Sequence, residues 1–148
     1  MVARQEDLGP QLSSRLTYLL KRALLDLEDL HRDHLASTGI NVRELTVLQF
    51  LDGREPESQQ QVASHLGVDR TTMVGLIDAL ERLGLVERRA DASDRRRNVV
   101  QLTEAGRRTL AEATRASDEA ERRLLGALDQ ADATRLRELL QRLASSPR

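Results

Sequence analysis

Leucine recurs at three- and four-residue spacing along almost the whole chain, and only residues 85–102 break that rhythm. A helical period that persists elsewhere and falls to two in one place limits the fold to a mainly α chain with one small β element. From Gln11 to Leu35 the series Leu12, Leu16, Leu19, Ala23, Leu27, Leu30 predicts one helix of about 25 residues. Pro10 suits its first turn. Ser37-Thr38-Gly39 ends the pattern, and Asn41 with Glu44 reads as a capping box opening a second helix. Ser58 caps a third helix with Val62, Ala63 and Leu66 inward, and Gly67 stops it. Asp69 caps a fourth helix, Arg70–Leu83, closed by Gly84. Val86, Val99 and Val100 then favour two short strands around a charged tip at Ala90–Arg97. Thr103 caps a long helix to about Leu128, and Asp129 caps a last one carrying Leu136, Leu139, Leu140 and Leu143. The order is α-α-α-α-β-β-α-α.

Composition removes whole classes of chemistry. With no cysteine among 148 residues, disulfides, thiolate zinc sites, cysteine nucleophiles and thiol redox sensing are excluded. Tyr18 and Phe50 are the only aromatics, too few for a platform that stacks bases. No apolar run nears the roughly 20 residues that span a bilayer. The N-terminal residues lack the apolar stretch of a secretion signal. These features lead to the expectation of a cytoplasmic protein with no membrane partner. Net charge is −1, so bulk charge names no partner. Its distribution is more informative. Residues 88–97 hold five arginines against Asp91 and Asp94, a concentrated basic stretch compatible with a small nucleic-acid footprint.

Two short helices joined at Leu66-Gly67-Val68-Asp69 and followed by a hairpin describe a helix-turn-helix with a wing. On the fourth helix, Met73, Leu76, Ile77, Leu80 and Leu83 form the inner face. Arg70, Thr71, Val74, Gly75 and Asp78 lie opposite, a small hydrogen-bonding surface that suits the floor of a major groove. Gly75 sits mid-helix, where glycine costs about 1 kcal/mol relative to alanine. Close approach to DNA explains it, and so does tight packing inside the protein.

Leu83-Gly-Leu-Val-Glu-Arg88, Asp91-Ala-Ser-Asp-Arg-Arg-Arg97 and Leu102-Thr-Glu-Ala-Gly106 follow in this order and spacing. Together they resemble the multiple antibiotic resistance regulator (MarR) family of winged-helix transcription factors, along nearly the whole chain. The resemblance implies a homodimer on double-stranded DNA, most simply a repressor of palindromic operators released by a small amphipathic or phenolic ligand. It implies a helical dimerisation region at 1–40 and 103–148 around a DNA-binding region at 41–102. It also implies a recognition helix presenting Arg70, Thr71, Thr72, Val74, Gly75 and Asp78. In the wing, Asp94 would hold the turn, Arg95 or Arg96 would enter the minor groove, and Arg97 has no settled role. An effector pocket is expected near Leu27, His31, Leu48 and Arg107.

Other classes carry less. No nucleophile motif, phosphate-cradling loop or HExxH occurs, so neither enzyme activity nor a cofactor is expected. His31 and His34 share a helix face, yet no third ligand of matching type accompanies them, so no metal is expected. The alternative to DNA binding is a winged helix that docks proteins, and the arginine-rich wing weighs against it.

Overall fold

The computed structural model describes residues 8–147. Its elements are α1 (Gly9–Ser13), α2 (Leu16–Leu35), α3 (Val42–Leu51), α4 (Gln59–Leu66), α5 (Arg70–Arg82), β1 (Val86–Ala90), β2 (Asn98–Leu102), α6 (Glu104–Leu125) and α7 (Gln130–Ser145). The mainly α architecture with one hairpin follows the periodicity of the sequence. The chain divides into two compact units, one of His31–Ser117 and one of the flanking segments up to Leu30 and from Asp118.

The first helix is not continuous. The Ser14 hydroxyl donates back to the carbonyl oxygens of Pro10 and Gln11, at 2.8 and 3.3 Å. The Arg15 N–H reaches only three residues back, to the Leu12 carbonyl. This tight closure ends α1 before α2 begins, because a serine hydroxyl competes with the helical ladder. At the other end, α6 stops at Leu125 rather than Leu128, just before Gly126.

Local caps account for the remaining boundaries. The Asn41 side chain accepts from the Glu44 N–H at 2.9 Å and starts α3. Ser58 and Gln61 form a reciprocal capping box at α4, and Asp129 caps α7 through the Asp132 N–H. Gly67 leaves α4 with φ of 64°, a left-handed conformation that allows the sharp turn into α5.

In the 31–117 unit the core joins α3, α4, α5 and the hairpin. Met73, Ile77 and Leu80 of α5 are fully buried against Leu45, Leu48, Val62, Val86 and Val100. Leu83, expected inward, is instead 52% exposed. It is the C-cap residue of α5, where the helical phase no longer holds it against the core. The hairpin runs from Val86↔Leu102 to Ala90↔Asn98. A single extra bridge pairs Glu57 with Val100, whose N–H donates to the Glu57 carbonyl at 2.8 Å. One bridge residue has no periodicity, so no sequence pattern announces it.

The Leu-Thr-x-x-Gly segment gains a physical explanation. The Thr103 hydroxyl donates to the Gly84 carbonyl at 2.6 Å and accepts the Gly106 N–H at 3.0 Å. The Thr103 N–H donates to the Leu85 carbonyl at 3.1 Å. This draws α6 so close that a Cβ on Gly106 would lie 1.9 Å from the Leu85 carbonyl oxygen. Backbone cannot yield as a flexible side chain does. Gly106→Ala is therefore expected to cost about 3 kcal/mol, the upper range of overpacking, as read by urea unfolding. A variant as stable as the parent would contradict the close approach.

Candidate nucleic-acid interface

The α5 helix is held by one face and leaves the other bare. Asp69 caps it, accepting the Thr72 N–H at 2.8 Å and the Thr72 hydroxyl at 2.7 Å. Those two bonds, the hydroxyl's first, hold the Asp69 carboxyl below the usual carboxylate range. Thr72 is thus half-buried and committed to the cap. Arg70, Thr71, Gly75 and Asp78 are exposed, and Val74 is half-buried beside them. The packing explanation for Gly75 fails, because an added Cβ would meet nothing within 4 Å.

Asp78 does not stand free on this face. Arg88 of β1 reaches it at 2.6 Å, pairs with Glu81 at 2.8 Å, and donates to Gln59 of α4 at 3.2 and 3.4 Å. The Arg88 N–H also donates to Glu81, at 3.2 Å. One guanidinium therefore ties α5, α4 and the hairpin together. Its planar fork suits this multiple pairing better than a lysine would.

The wing tip is organised by two aspartates. Asp91 accepts both the N–H and the hydroxyl of Ser93 at 3.0 Å. These bonds, with a smaller contribution from the Arg97 charge, hold its carboxyl below the usual range. Asp94 accepts the Arg96 N–H at 3.0 Å, and its carbonyl accepts the Arg97 N–H at 3.0 Å. Asp94 therefore closes the turn rather than bracing a guanidinium. The Arg97 guanidinium donates to Gln61 and lies 3.9 Å from Asp91. Arg82 donates to the Asp78 carbonyl and Arg89 pairs with Glu87. Among the described residues, the side chains of Arg70, Arg95 and Arg96 make no such bond.

A cleft of about 570 Å³ lies between the start of α4, Arg70 and the wing, lined in part by Gln60, Arg88, Arg96 and Arg97. Guanidinium groups beside a helix N-terminus form a surface electrostatically suited to phosphate. The four residues expected around an effector are not equivalent. Leu48 is completely buried in the core and offers no face to a ligand. Arg107 is exposed and lies 3.6 Å from Glu104. His31 is buried, with Nε2 2.9 Å from the Ser117 hydroxyl. Leu27 lines an apolar cavity of about 620 Å³ within the terminal unit, among Leu20, Leu24, Leu124, Leu136 and Leu140. Among the described residues no cluster of three or more His, Cys, Asp or Glu side chains is placed to hold a metal. No helix among them is long and apolar enough to cross a membrane.

Comparison with known proteins decides the family. A sequence model of the MarR family matches residues 38–97. The transcriptional repressor MprA of Escherichia coli K12 is 31% identical over 147 residues, covering 97% of this chain and 82% of that protein. The chain belongs to the MarR family of DNA-binding transcriptional regulators. MhqR of Bacillus subtilis, an HTH-type transcriptional regulator, is 30% identical over 94 residues, 64% of this chain and 65% of that one. Among solved structures, CouR of Rhodococcus jostii RHA1 bound to p-coumaroyl-CoA superposes with a TM-score of 0.79 at 33% identity, covering 95% and 99% of the two chains. The repressor CouR on a 23-mer DNA duplex gives 0.83 at 34% identity, over 90% and 95%.

In this MarR-family chain the Arg88 network makes unequal demands on its members. Arg88→Ala removes every guanidinium tie at once, keeping only the backbone N–H bond to Glu81, and leaves Asp78 and Glu81 facing each other, so about 1–2 kcal/mol of stability should be lost. Asp78→Ala should cost under about half of that, because Glu81 and Gln59 still hold the guanidinium. Chemical denaturation of both variants checks the order, and equal losses would contradict it.

Proposed function

We propose that this protein is a homodimeric repressor that reads a palindromic operator through α5 and the wing. In this reading α5 enters the major groove with Arg70, Thr71, Val74 and Gly75. Asp78 and Thr72 hold the helix from its edges, and Asp94 shapes the tip from which Arg95 and Arg96 reach the minor groove. One observation carries the reading. Of the arginines from 70 to 97, only Arg70, Arg95 and Arg96 have side chains with no ion pair or hydrogen bond among the described residues, and Arg70 and Arg96 line the same cleft. Uncommitted guanidiniums break no internal bond when they turn toward phosphates or a narrow, electronegative minor groove.

Two-fold symmetry would turn one half-site into a palindrome about one helical turn apart. Exposed leucines on the terminal helices support the pairing. Leu16, Leu24 and Leu143 are 66%, 55% and 67% exposed, a density of apolar surface that single soluble chains avoid. On this reading the terminal helices form the dimerisation region and the winged unit the DNA-binding region. The ligand-bound relative CouR supports release by a small amphipathic molecule. A regulatory rather than catalytic role, exercised in the cytoplasm, is the reading that joins these features.

Two measurements test it. Light scattering should give about twice 16.6 kDa, and a chain ending at Gly126 should lose both the dimer and DNA binding. A truncated monomer with full affinity would contradict the assignment. The second uses Gly75 and a duplex selected from random sequence by the unmodified protein. Gly75→Ala should raise folding stability by about 0.5–1 kcal/mol, since the Cβ meets open space, while weakening binding to the duplex. A stabilised variant with unchanged affinity would mean that this face does not approach DNA closely.

A further inference from the structure

The run Gln59-Gln60-Gln61 opens α4, and the surface described so far gives it no task in reading DNA. Two of these glutamines spend their side-chain oxygens on arginines of the hairpin. Gln59 accepts from Arg88 in β1, and Gln61 accepts from the guanidinium of Arg97 at the tip. The same Gln61 oxygen accepts the Ser58 N–H at 3.0 Å. The cap that starts α4 and the tether on the wing therefore share one acceptor. A helix cap alone needs only the Ser58 contact. Engagement of a side chain 36 positions away is an additional function.

The bonds inside the tip set its shape but leave its direction open. Asp91 holds Ser93, Asp94 holds the Arg96 N–H, and the Asp91 N–H meets the Arg97 carbonyl at 2.8 Å. All of these partners move together if the loop swings. Gln61 lies outside the loop, on a helix anchored in the core through Val62 and Ala63. The geometry points to Gln61 as a wing-positioning residue, which engages Arg97 and thereby aims Arg95 and Arg96 at the groove. The assignment rests on the reading of Arg95 and Arg96 as the arginines that meet DNA. It also gives Arg97 a role distinct from theirs, as the tethered member of three consecutive arginines.

The test uses the full chain and the duplex selected by the unmodified protein. Q61A, Q61E, R97A, the double variant Q61A/R97A, R95A and R96A are compared. In the free protein, hydrogen exchange at residues 92–97 should quicken in Q61A and R97A alike, with α5 unchanged. On the duplex, each should weaken binding about five- to tenfold, the order of one charge-assisted hydrogen bond. The double variant should be no weaker than either single one, because both remove the same contact. Q61E keeps the acceptor and should stay near the parent. R96A should lower the slope of log affinity against log salt by about one, while R97A leaves that slope unchanged. Multiplicative losses in the double variant, a reduced slope in R97A, or unaltered exchange at the tip would overturn the assignment. Failure of the underlying reading looks different: R95A and R96A would bind as the parent does while tip exchange still responds to Q61A. That outcome overturns the positioning role in DNA binding and leaves only a structural tether. Should Q61A fail to fold for want of its cap, R97A decides the exchange result, since it leaves Ser58 and Gln61 intact.

Discussion

Arg88 stands where three elements must be held in fixed relation. A helix proposed to read DNA is useful only if its outer face stays bare, so its orientation cannot be fixed by contacts on that face. Burial of Met73, Ile77 and Leu80 supplies adhesion to the core, but apolar packing is non-directional and tolerates rotation. The guanidinium of Arg88 supplies direction. It meets Asp78 and Glu81, one helical turn apart on α5, and Gln59 on α4. Pairing with two carboxylates at i and i+3 fixes the helix about its own axis. The arrangement uses the acidic edge of α5 and leaves Arg70, Thr71 and Gly75 unencumbered.

Gly75 and Gly106 are both helical glycines in sequence, and the structure separates them. Gly106 is required by the protein itself, because the Leu85 carbonyl occupies the place of a side chain. Gly75 has open space where a side chain would go, and its conformation is ordinary helix. A residue that weakens its own helix without any internal reason points to an external one. The same logic applies to the arginines. Between residues 70 and 97, Arg82, Arg88, Arg89 and Arg97 are engaged by side-chain bonds, and Arg70, Arg95 and Arg96 are not.

What the sequence made legible is what is decided locally. Asn41, Ser58, Asp69 and Asp129 cap their helices within three residues, so the boundaries of α3, α4, α5 and α7 could be read directly. Most of the inward face of α5 followed from its period, and the hairpin from the valines that favour extended structure. Where the reading went astray, a competing or long-range contact decided. Ser14 broke the first helix by bonding back to its carbonyls, although the leucine spacing runs on unbroken. Leu83 lay in phase with the inner face but beyond the helix that sets the phase. Leu48 is fully buried in the core, and nothing local distinguishes a core leucine from a pocket leucine. The partners of Asp78, Arg97 and Glu57 lie 10, 36 and 43 positions away along the chain, separations to which no pattern of spacing applies.

A chain with a net charge of −1 must still present a positive surface to a polyanion. The chain gathers arginines at the wing and holds the nearby acidic groups in local bonds. Near the proposed interface, Asp69 is consumed by Thr72, Asp78 and Glu81 by Arg88, Asp91 by Ser93 and Arg97, and Asp94 by the turn it closes. Asp78 and Glu81 share a guanidinium that offsets part of their charge, while N–H and hydroxyl donors fix the positions of Asp69 and Asp94. The guanidiniums of Arg70, Arg95 and Arg96 carry no such counter-charge. The concentration of arginines at the tip is a local feature that net charge does not report. In the proposed wing, Arg97 engages Gln61 and pairs with Asp91, so the aiming of the tip falls to one arginine and the contact with DNA to its neighbours.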